Sequence, residues 1–346
     1  MITGNKFDSE QRVLSEFEVI RRYFSNIGDS NPRNATSEAK SAIVLSGGDD
    51  CALLSLPENN RLAISIDTLV VDTHFPKNAL ADDIARRSLA VAVSDLAAMG
   101  ARPVAFTLAL TLPDLNTQWL QRFSEGLHES ACFYGVPLIG GDTTKGPLTI
   151  TIQVHGIVAE NTELRRSGAS PGDKIYVSGY LGDAAVALDI IQQRLIVADS
   201  PRHYFYNRFY RPTARVELGQ ALLPLASSAI DISDGLLADV GHIAESSEVL
   251  AKIYPQKIPL SKELNELVQN QTIDKNAVEY YALTGGDDYE LCFTVAAEFQ
   301  SELLTYAASM EVNITEIGEI VAGRGVECLN SAGEQLDYKV KGYQHF

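Results

Sequence analysis

Apolar residues recur along most of the chain, either at the spacing of a helix or in the alternation of a strand. Val13, Phe17, Ile20 and Phe24 would share one face of a helix over residues 9–26, which predicts an amphipathic helix that packs through that face. The same criterion predicts helices at residues 79–99 and 116–134, and strands at 42–45, 52–56, 61–66, 103–111, 136–139 and 148–158. Residues 28–41 are polar and contain proline, so we expect a mobile loop there. The pattern indicates a first unit of α/β type.

A second unit begins after residues 159–173, which are rich in Arg, Gly, Ser and Pro. Residues 174–178 resume a strand pattern, so we predict an N-terminal domain at residues 1–158 and a C-terminal domain at 159–346. In the second unit, helices are predicted at residues 183–195, 215–225, 235–245 and 297–310, and strands at 229–232 and 289–295. Because these elements follow no strict β-α-β order, the pattern favours α/β and α+β layering with mixed sheets over a doubly wound fold.

Composition and charge narrow the classes of partner. The 346 residues are 45% hydrophobic and contain 28 Lys and Arg against 45 Asp and Glu, for a formal charge of −17. A nucleic-acid partner requires a basic surface, so none is expected. The four cysteines form no C-x-x-C pair, and we find neither a signal peptide nor an apolar run of the roughly 18 residues that a membrane helix needs. These features predict a cytoplasmic protein with reduced cysteines and no membrane partner.

Three Gly-Gly-Asp stretches stand out among the polar segments. They are Gly47-Gly48-Asp49-Asp50, Gly140-Gly141-Asp142 and Gly285-Gly286-Asp287-Asp288. Glycine lets the backbone approach a charged ligand closely, and aspartate supplies the hard oxygen that Mg²⁺ prefers. Gly-Asp is also common in ordinary turns. Each stretch taken alone therefore has two interpretations.

Several other aspartates are predicted to follow strands, where they can converge. They are Asp67, Asp142, Asp231 and Asp234, whereas Asp95 is predicted within an apolar helix, where a carboxylate is unfavourable unless it is paired or bound to metal. Two carboxylates about 4 Å apart repel by about 4 kcal/mol at an effective dielectric constant near 20. Mg²⁺ relieves this repulsion and keeps ligand positions open for phosphate oxygens. Spacing alone equally allows the aspartates to lie apart on different faces, each solvated.

Motifs of the common nucleotide-binding folds are absent from the sequence, including the P-loop, G-x-G-x-x-G and the protein-kinase set. Asp231-Ile232-Ser233-Asp234-Gly235 precedes a predicted helix, so Asp231 or Ser233 either caps that helix or lies at a phosphate site. His74 and Arg165-Arg166 are each compatible with an anionic substrate, but such residues are more often packed or solvated.

Seven motifs are more specific together than any one of them. They are Gly48-Asp49-Asp50-Cys51-Ala52, Ser65-Ile66-Asp67-Thr68-Leu69-Val70 with His74-Phe75, Val93-Ser94-Asp95-Leu96-Ala97-Ala98-Met99-Gly100, Gly140-Gly141-Asp142-Thr143-Thr144, Asp231-Ile232-Ser233-Asp234-Gly235-Leu236, Gly285-Gly286-Asp287-Asp288-Tyr289-Glu290-Leu291 and Lys341-Gly342-Tyr343. In this order they resemble the thiamine-monophosphate kinase family over nearly the whole chain. The resemblance implies Mg²⁺-dependent transfer of the γ-phosphoryl group of ATP to thiamine monophosphate. It also implies the fold of the aminoimidazole ribonucleotide synthetase superfamily: an N-terminal α/β domain that forms a homodimer through its sheet, followed by a C-terminal α+β domain.

The resemblance further implies roles for particular residues. Ligands of several Mg²⁺ ions would be Asp50, Ser65, Ile66, Asp67, Asp95, Asp142, Asp231 and Asp234. Contacts to ATP would be Tyr134, Gly141, Asp142, Arg166 and Ser233, and contacts to thiamine monophosphate would be His74, Asp287 and Tyr343. No general base is expected, because a phosphate monoester with a second pKa near 6 is mostly dianionic at pH 7.

Three positions depart from the family pattern. Ser46-Gly47-Gly48 stands where Gly-Ile-Gly is usual, and Ile66 offers only its carbonyl where Thr is common. Asp287 is one methylene shorter than the usual Glu, so its carboxylate reaches less far towards the acceptor.

Other members of the superfamily are the nearest alternatives. An aminoimidazole ribonucleotide synthetase would lack the last two motifs, and a selenophosphate synthetase would need a reactive Cys or selenocysteine in an N-terminal Gly-rich segment. Neither expectation fits this sequence. A non-catalytic protein of the same fold, which binds cations or nucleotide without turnover, is an alternative from another class.

Overall fold

The computed structural model describes residues 15–28, 42–46, 50–310 and 312–338. Predictions made for Gly47-Gly48-Asp49, for residues 29–41 and for Tyr343 lie outside the described residues. Over its described part, the first predicted helix comprises α1 (Glu16–Val19) and a π-helical turn (Ile20–Phe24). Within the described ranges, no helix is both long and apolar enough to cross a membrane.

Four strands and two long helices make up most of the N-terminal half. A short antiparallel pair, β1 (Ile43–Leu45) and β2 (Leu53–Leu54), precedes them. The strands are β3 (Asn60–Val70), β4 (Arg102–Leu112), β5 (Leu138–Lys145) and β6 (Thr149–Ala159), and the helices are α2 (Ala81–Ala98) and α3 (Thr117–Tyr134). The sheet has the order β3-β6-β4-β5, in which β4 and β5 are parallel and the other neighbours antiparallel. Asn116 caps α3 by accepting hydrogen bonds from two backbone N–H groups, and Gly135, at φ 68°, ends it.

A seven-stranded sheet forms the core of the C-terminal half. Its strands are β7 (Lys174–Ser178), β8 (Ala226–Asp231), β9 (Leu250–Ile253), β10 (Leu291–Val295), β11 (Ile314–Val321), β12 (Gly325–Leu329) and β13 (Gln335–Leu336). They lie in the order β13-β12-β9-β11-β7-β10-β8, with β9 and β12 parallel and the other neighbours antiparallel, so the sheet is mixed as predicted. Its helices are α4 (Asp183–Ile191), α5 (Asp199–Tyr210), α6 (Val216–Leu222), α7 (Leu236–Ser247), α8 (Lys262–Gln269), α9 (Lys275–Thr284) and α10 (Gln300–Ser309).

Two strands are longer than the sequence predicted. The predictions that Asp67 and Asp142 follow strands are wrong, because β3 continues through Asp67 to Val70 and β5 contains Asp142. Alternation of apolar and polar residues stops at Asp67-Thr68, but pairing with β6 carries the strand onward, and exposed and less exposed side chains continue to alternate. Both carboxylates therefore project from a sheet, which fixes the face on which each one lies.

Helix α2 joins the two halves. Most of its side chains are buried. Ala97 and Ala98 pack with Leu218 and Leu222 of α6 in a hydrophobic cluster that extends to Phe293 of β10. A single rigid helix therefore contacts both halves, and polar residues on it lie at their junction.

Candidate active site

A cleft of about 890 Å³ lies between the two halves. Its walls come from β3 and the turn that follows it, from α2, α4 and α9, and from the segments after β8 and before β10. Eight of the residues predicted for the site line this cleft: Ile66, Asp67, His74, Asp95, Asp231, Ser233, Asp234 and Asp287. The structure thus brings together residues that are more than 200 positions apart in the chain.

Three carboxylates from three elements line the cleft, and we call Asp67, Asp95 and Asp231 the cleft carboxylates. They project from β3, from α2 and from the end of β8. The Ser65 hydroxyl donates a short hydrogen bond to Asp95, and the Ser94 hydroxyl donates to Asp231 at 2.7 Å. Oδ2 of Asp67 is buried and has no hydrogen-bond partner among the described residues. These interactions orient two of the carboxylates but supply no ion pair to any of them.

The cleft carboxylates disfavour each other's charge. Burial, with repulsion from Asp95 added, raises the pKa of Asp67 to about 7. Burial and repulsion from Asp95 and Asp67 also raise the pKa of Asp231 to about 7, although the Ser94 hydrogen bond opposes the change. Burial raises the pKa of Asp95 despite the hydrogen bond from Ser65 and the attraction of Arg166. Without a bound cation, it is therefore energetically unfavourable for all three carboxylates to be ionised at once.

The donor chemistry of the cluster suits a hard divalent cation. Carboxylate oxygens are the ligands that Mg²⁺ prefers, and the unpartnered oxygen of Asp67 is the kind of buried acceptor that a cation satisfies. Among the residues described, however, no three His, Cys, Asp or Glu side chains lie close enough together to hold a metal ion. The oxygen ligands of the cleft carboxylates therefore suit Mg²⁺, but in this structure the three side chains do not surround a single position.

Asp239 in the first turn of α7 organises the loop that follows β8. Its Oδ2 accepts hydrogen bonds from the N–H groups of Ser233, Asp234 and Gly235, each at 3.1 Å. Burial and the repulsion of Asp231 and Asp234 raise its pKa to about 7. The helix is thus capped from within, and neither Asp231 nor Ser233 caps it with a side chain. Asp239 is not among the residues predicted from the sequence, although an acidic residue in the first turn of a predicted helix is a recognisable signal.

The third Gly-Gly-Asp stretch packs directly against that loop. The Asp287 N–H donates to the Ser233 carbonyl at 2.9 Å. A Cβ on Gly286 would lie 2.3 Å from the same oxygen, so glycine is required for the approach. Asp287 has φ 72°, an uncommon backbone conformation for aspartate, and its carboxylate accepts a hydrogen bond from Arg87 at 2.5 Å. Contacts on both sides therefore hold the predicted acceptor-binding residue in the cleft.

His74 lies in the turn after β3. Its Nδ1 accepts a hydrogen bond from the Val70 N–H at 3.0 Å. This bond fixes the ring at the cleft wall, with Nδ1 already engaged by the backbone.

Asp142 does not line this cleft. It pairs with Ala109 in β4, and Ala109 pairs with Thr151 in β6. Thr151 in turn pairs with Thr68 in β3. Three strand spacings separate Asp142 from β3, about 14 Å at roughly 4.8 Å each. Because paired residues share a face and neighbours alternate, Asp142 also lies on the opposite face of the sheet from Asp67.

Five other predicted residues also lie outside the lining of the cleft, among them Ser65, whose hydroxyl donates to Asp95. A Cβ on Gly141 would be 2.0 Å from the Leu108 carbonyl oxygen, so this glycine has a packing role in β5. The Tyr134 hydroxyl accepts a hydrogen bond from the Ala214 N–H at 3.0 Å, and burial raises its pKa to about 12. Asp50 and Arg166 are exposed, although Arg166 lies near enough to lower the pKa of Asp95.

Comparison with known proteins places these features in a family. The models of the AIR synthase related protein match residues 48–158 with the N-terminal domain and 170–329 with the C-terminal domain. Thiamine-monophosphate kinase of Escherichia coli strain K12 is 45% identical over 335 residues, which cover 96% of this chain and 99% of that protein.

Solved structures agree with this comparison. The crystal structure of thiamine-monophosphate kinase from Stenotrophomonas maltophilia K279a matches with a TM-score of 0.80 and 43% identity, covering 86% of this chain and 93% of that one. AaThiL complexed with AMPPCP and TMP matches with a TM-score of 0.75 and 31% identity, covering 84% and 89%. The predicted two-domain fold is confirmed, and the chain belongs to the thiamine-monophosphate kinase family.

Proposed function

We propose that this protein transfers the γ-phosphoryl group of ATP directly to thiamine monophosphate, producing thiamine diphosphate and ADP. The observation that carries the proposal is that the cleft carboxylates Asp67, Asp95 and Asp231 line one cavity and have no paired cation among the described residues. Family membership supports it, as does the relative AaThiL, which is complexed with the ATP analogue AMPPCP and with TMP. Two anionic substrates can approach each other here only if their charge is neutralised.

We assign that neutralisation to several Mg²⁺ ions. The residues that would hold them are Asp50, Ser65, Ile66 through its carbonyl, Asp67, Asp95, Asp142, Asp231 and Asp234. When bound, Mg²⁺ neutralises phosphate oxygens and stabilises the charge that develops during phosphoryl transfer. Ser65 and Ser94 hold their partner carboxylates in place, and Asp231 is itself buried.

The remaining groups of the cleft position the acceptor. His74 and Asp287 face the same cavity as the cleft carboxylates, and we assign them, with Tyr343, to thiamine monophosphate. Its phosphate is mostly dianionic at pH 7 and is already a nucleophile, so no side chain needs to remove a proton. The work of the protein is then to place the acceptor in line with the leaving group.

Some of the residues predicted to contact ATP lie too far from the cleft to act on a substrate bound there, so we infer that a second copy of the chain takes part. Tyr134, Gly141 and Asp142 lie outside the cleft of one protomer, whereas Arg166 and Ser233 are close to it. The outer face of the N-terminal sheet exposes Ile64 and Ile66 at 53% and 61%. We propose that a homodimer covers this face and that the partner supplies the distant ATP contacts. Light scattering should report twice the chain mass for the wild-type protein and the monomer mass for Ile64→Asp. A cytoplasmic location stays a prediction.

The function is tested by incubating the purified protein with Mg²⁺-ATP and thiamine monophosphate. We expect thiamine diphosphate and ADP to form in equal amounts, and we expect EDTA to stop the reaction. Failure to phosphorylate this acceptor while another is consumed would contradict the proposal. Calorimetric binding of Mg²⁺-ATP without turnover of any acceptor would instead favour a non-catalytic nucleotide-binding protein.

A further inference from the structure

We propose that Arg87 is a positioning residue that holds Asp287 in place for contact with the acceptor. The inference rests on the proposed function and assigns a role to a side chain that the sequence analysis did not single out. Helix α2 would then carry two functional residues, the cleft carboxylate Asp95 and the positioning residue Arg87.

Contacts on several sides hold the guanidinium of Arg87. The side chain is 2% exposed, and its Nη1 donates to the Phe209 carbonyl at 2.7 Å. Nη2 donates to Asp287 Oδ1 at 2.5 Å. The guanidinium carbon lies 4.1 Å from the ring centre of Phe209 and 5.7 Å from that of Tyr289. A planar group held by two acceptors and two rings has little freedom to turn, so its fork presents a fixed partner to Asp287.

Asp287 lies in a cleft whose charged lining residues are mostly acidic. Its side chain is 31% exposed and faces this cavity. The lining acids are Asp67, Asp72, Asp95, Asp189, Asp231, Asp234 and Asp287, and the lining cations are Arg87 and Arg194. Arg194 is paired with Asp189, which leaves Arg87 as the cation that contacts Asp287. The hydroxyl of Tyr289 adds a further hydrogen bond to Asp287 at 3.1 Å.

A purely structural explanation accounts less well for this arrangement. A buried ion pair adds little stability compared with an apolar pair of similar size, because both charges must be desolvated. Here one partner is desolvated and the other remains open to the cleft, as expected when the carboxylate must still bind a ligand. Asp287 is also shorter than the usual Glu, so the place of its carboxylate depends strongly on the group that holds it.

Helix α2 carries both Arg87, which holds the acceptor-binding residue, and Asp95, which is a cleft carboxylate. Arg87, Val91 and Asp95 all line the cleft and are four residues apart, so they lie on one face of the helix. Eight residues at 1.5 Å per residue place Arg87 and Asp95 about 12 Å apart along the axis. One rigid helix therefore fixes the distance between the acceptor-binding carboxylate and a cleft carboxylate.

The test is a double-mutant cycle with Arg87→Met and Asp287→Asn, followed by steady-state kinetics with both substrates. Each single variant should raise the KM for thiamine monophosphate about 10–100-fold, the loss expected for a hydrogen bond to a charged group. The KM for ATP should stay within about twofold, as expected for a site that does not interact with the change. Because both changes break the same pair, the double variant should be no worse than the worse single one.

Two further variants separate positioning from folding. Arg87→Lys keeps the charge but can reach only one of the two acceptors, so its KM for thiamine monophosphate should fall between those of wild type and Arg87→Met. Arg86→Met is the matched control, because Arg86 pairs with Asp82 and Glu129 outside the cleft. Its kinetic constants should stay within about twofold of wild type.

The outcomes are distinct. The inference would be wrong if the rise in KM for thiamine monophosphate in the double variant equalled the product of the rises in the two single variants. It would also be wrong if the KM for ATP rose as much as the KM for thiamine monophosphate. Neither result would contradict the proposed function. A lower melting temperature of Arg87→Met with unchanged kinetics of Arg87→Lys would also overturn the inference, since that combination indicates a structural role. A wild-type protein that fails to phosphorylate thiamine monophosphate would overturn the proposed function and this inference together.

Discussion

Two groups of buried or half-buried acidic residues in the described part of the chain differ in how their charge is balanced. The first is the set of cleft carboxylates Asp67, Asp95 and Asp231. The second, which we call the arginine-paired cluster, consists of Asp183, Asp288 and Glu290 with Arg208 and Arg215. In the arginine-paired cluster, Arg215 donates two hydrogen bonds to Glu290, at 2.6 and 2.7 Å. Arg208 forms ion pairs with Asp183 and Glu290, each at 3.3 Å.

The arginine-paired cluster satisfies its acids with groups of the chain itself. Asp288 accepts hydrogen bonds from the N–H groups of Gly182 and Ala184, at the start of α4. Tyr204 and Ser261 donate to Asp183 at 2.6 and 2.7 Å. Asp95 and Asp231 each accept a hydrogen bond from a serine hydroxyl, but among the described residues no arginine or lysine pairs with any of the cleft carboxylates. The difference teaches that burial of acids alone does not mark a site; missing countercharge beside a cavity does.

The largest expected effect comes from removing one cleft carboxylate. Asp95→Asn should lower kcat by at least about 10²–10³-fold, the loss that follows removal of one electrostatic stabiliser of a transition state. Its melting temperature should stay equal to wild type or rise, because Asp95 raises the pKa values of Asp67 and Asp231 by repulsion. Kinetics and thermal unfolding measure the two quantities. Normal turnover of this variant would refute the assignment.

The corresponding substitution in the arginine-paired cluster, Glu290→Gln, should lower the free energy of unfolding, whereas Asp95→Asn should lower kcat. Glu290→Gln keeps the shape of the side chain but leaves Arg215 without its carboxylate. Breaking a buried pair in this way lowers the free energy of unfolding by about 3–5 kcal/mol. Urea denaturation of Glu290→Gln and Asp95→Asn under the same conditions compares the clusters. Equal losses of stability in both variants would remove the distinction between them.

A smaller effect is expected from pH. The pKa values of Asp67 and Asp231 are about 7 in the folded protein, against a usual value of 3.8. Between these values the folded state binds protons that the unfolded state has released, so stability falls as pH rises through 7. Without metal, we expect the melting temperature to drop by several degrees between pH 5.5 and 8.5, at about 2–4 °C per kcal/mol.

Burial also raises the pKa values of Asp239 and Asp288 to about 7, so these groups contribute to the same pH dependence, and two controls identify the part that comes from the cleft carboxylates. Mg²⁺ should raise the melting temperature more at pH 8.5 than at 5.5, because it binds ionised carboxylates. Asp95→Asn should show a flatter pH dependence than wild type. A melting temperature that rises over this pH range in the metal-free wild type would show that the cleft acids are not the groups that titrate.

Local pattern predicted most of the fold. Alternation gave β4 and β6, and helical periodicity gave α2 and α3, because each has one apolar face that packs on a neighbour. Helix α5 was not predicted. Its aromatic residues surround the helix instead of forming one stripe, and they pack against α4 and α8 in a separate small core. Such a helix becomes recognisable only when its neighbours are known.

The site was predicted less evenly. Asp95 could be singled out from the sequence, because a carboxylate within an apolar helix calls for an explanation. Its meeting with Asp231 could not, since the Ser94–Asp231 contact joins residues 137 positions apart and depends on how the halves pack. The family resemblance supplied Asp287, and the partner Arg87 escaped notice because it looked like one more charge on an amphipathic helix. The spacing of Arg87, Val91 and Asp95 was the available signal.

The central claim is that the cleft carboxylates, and not the arginine-paired cluster, hold divalent cations. Anomalous diffraction from crystals containing Mn²⁺, AMPPCP and thiamine monophosphate tests it most directly, because Mn²⁺ takes the place of Mg²⁺ and can be located without ambiguity. We predict anomalous peaks bonded to Asp67, Asp95 and Asp231, and none beside Glu290. Crystals with both substrates bound and no peak at the cleft carboxylates would contradict the account.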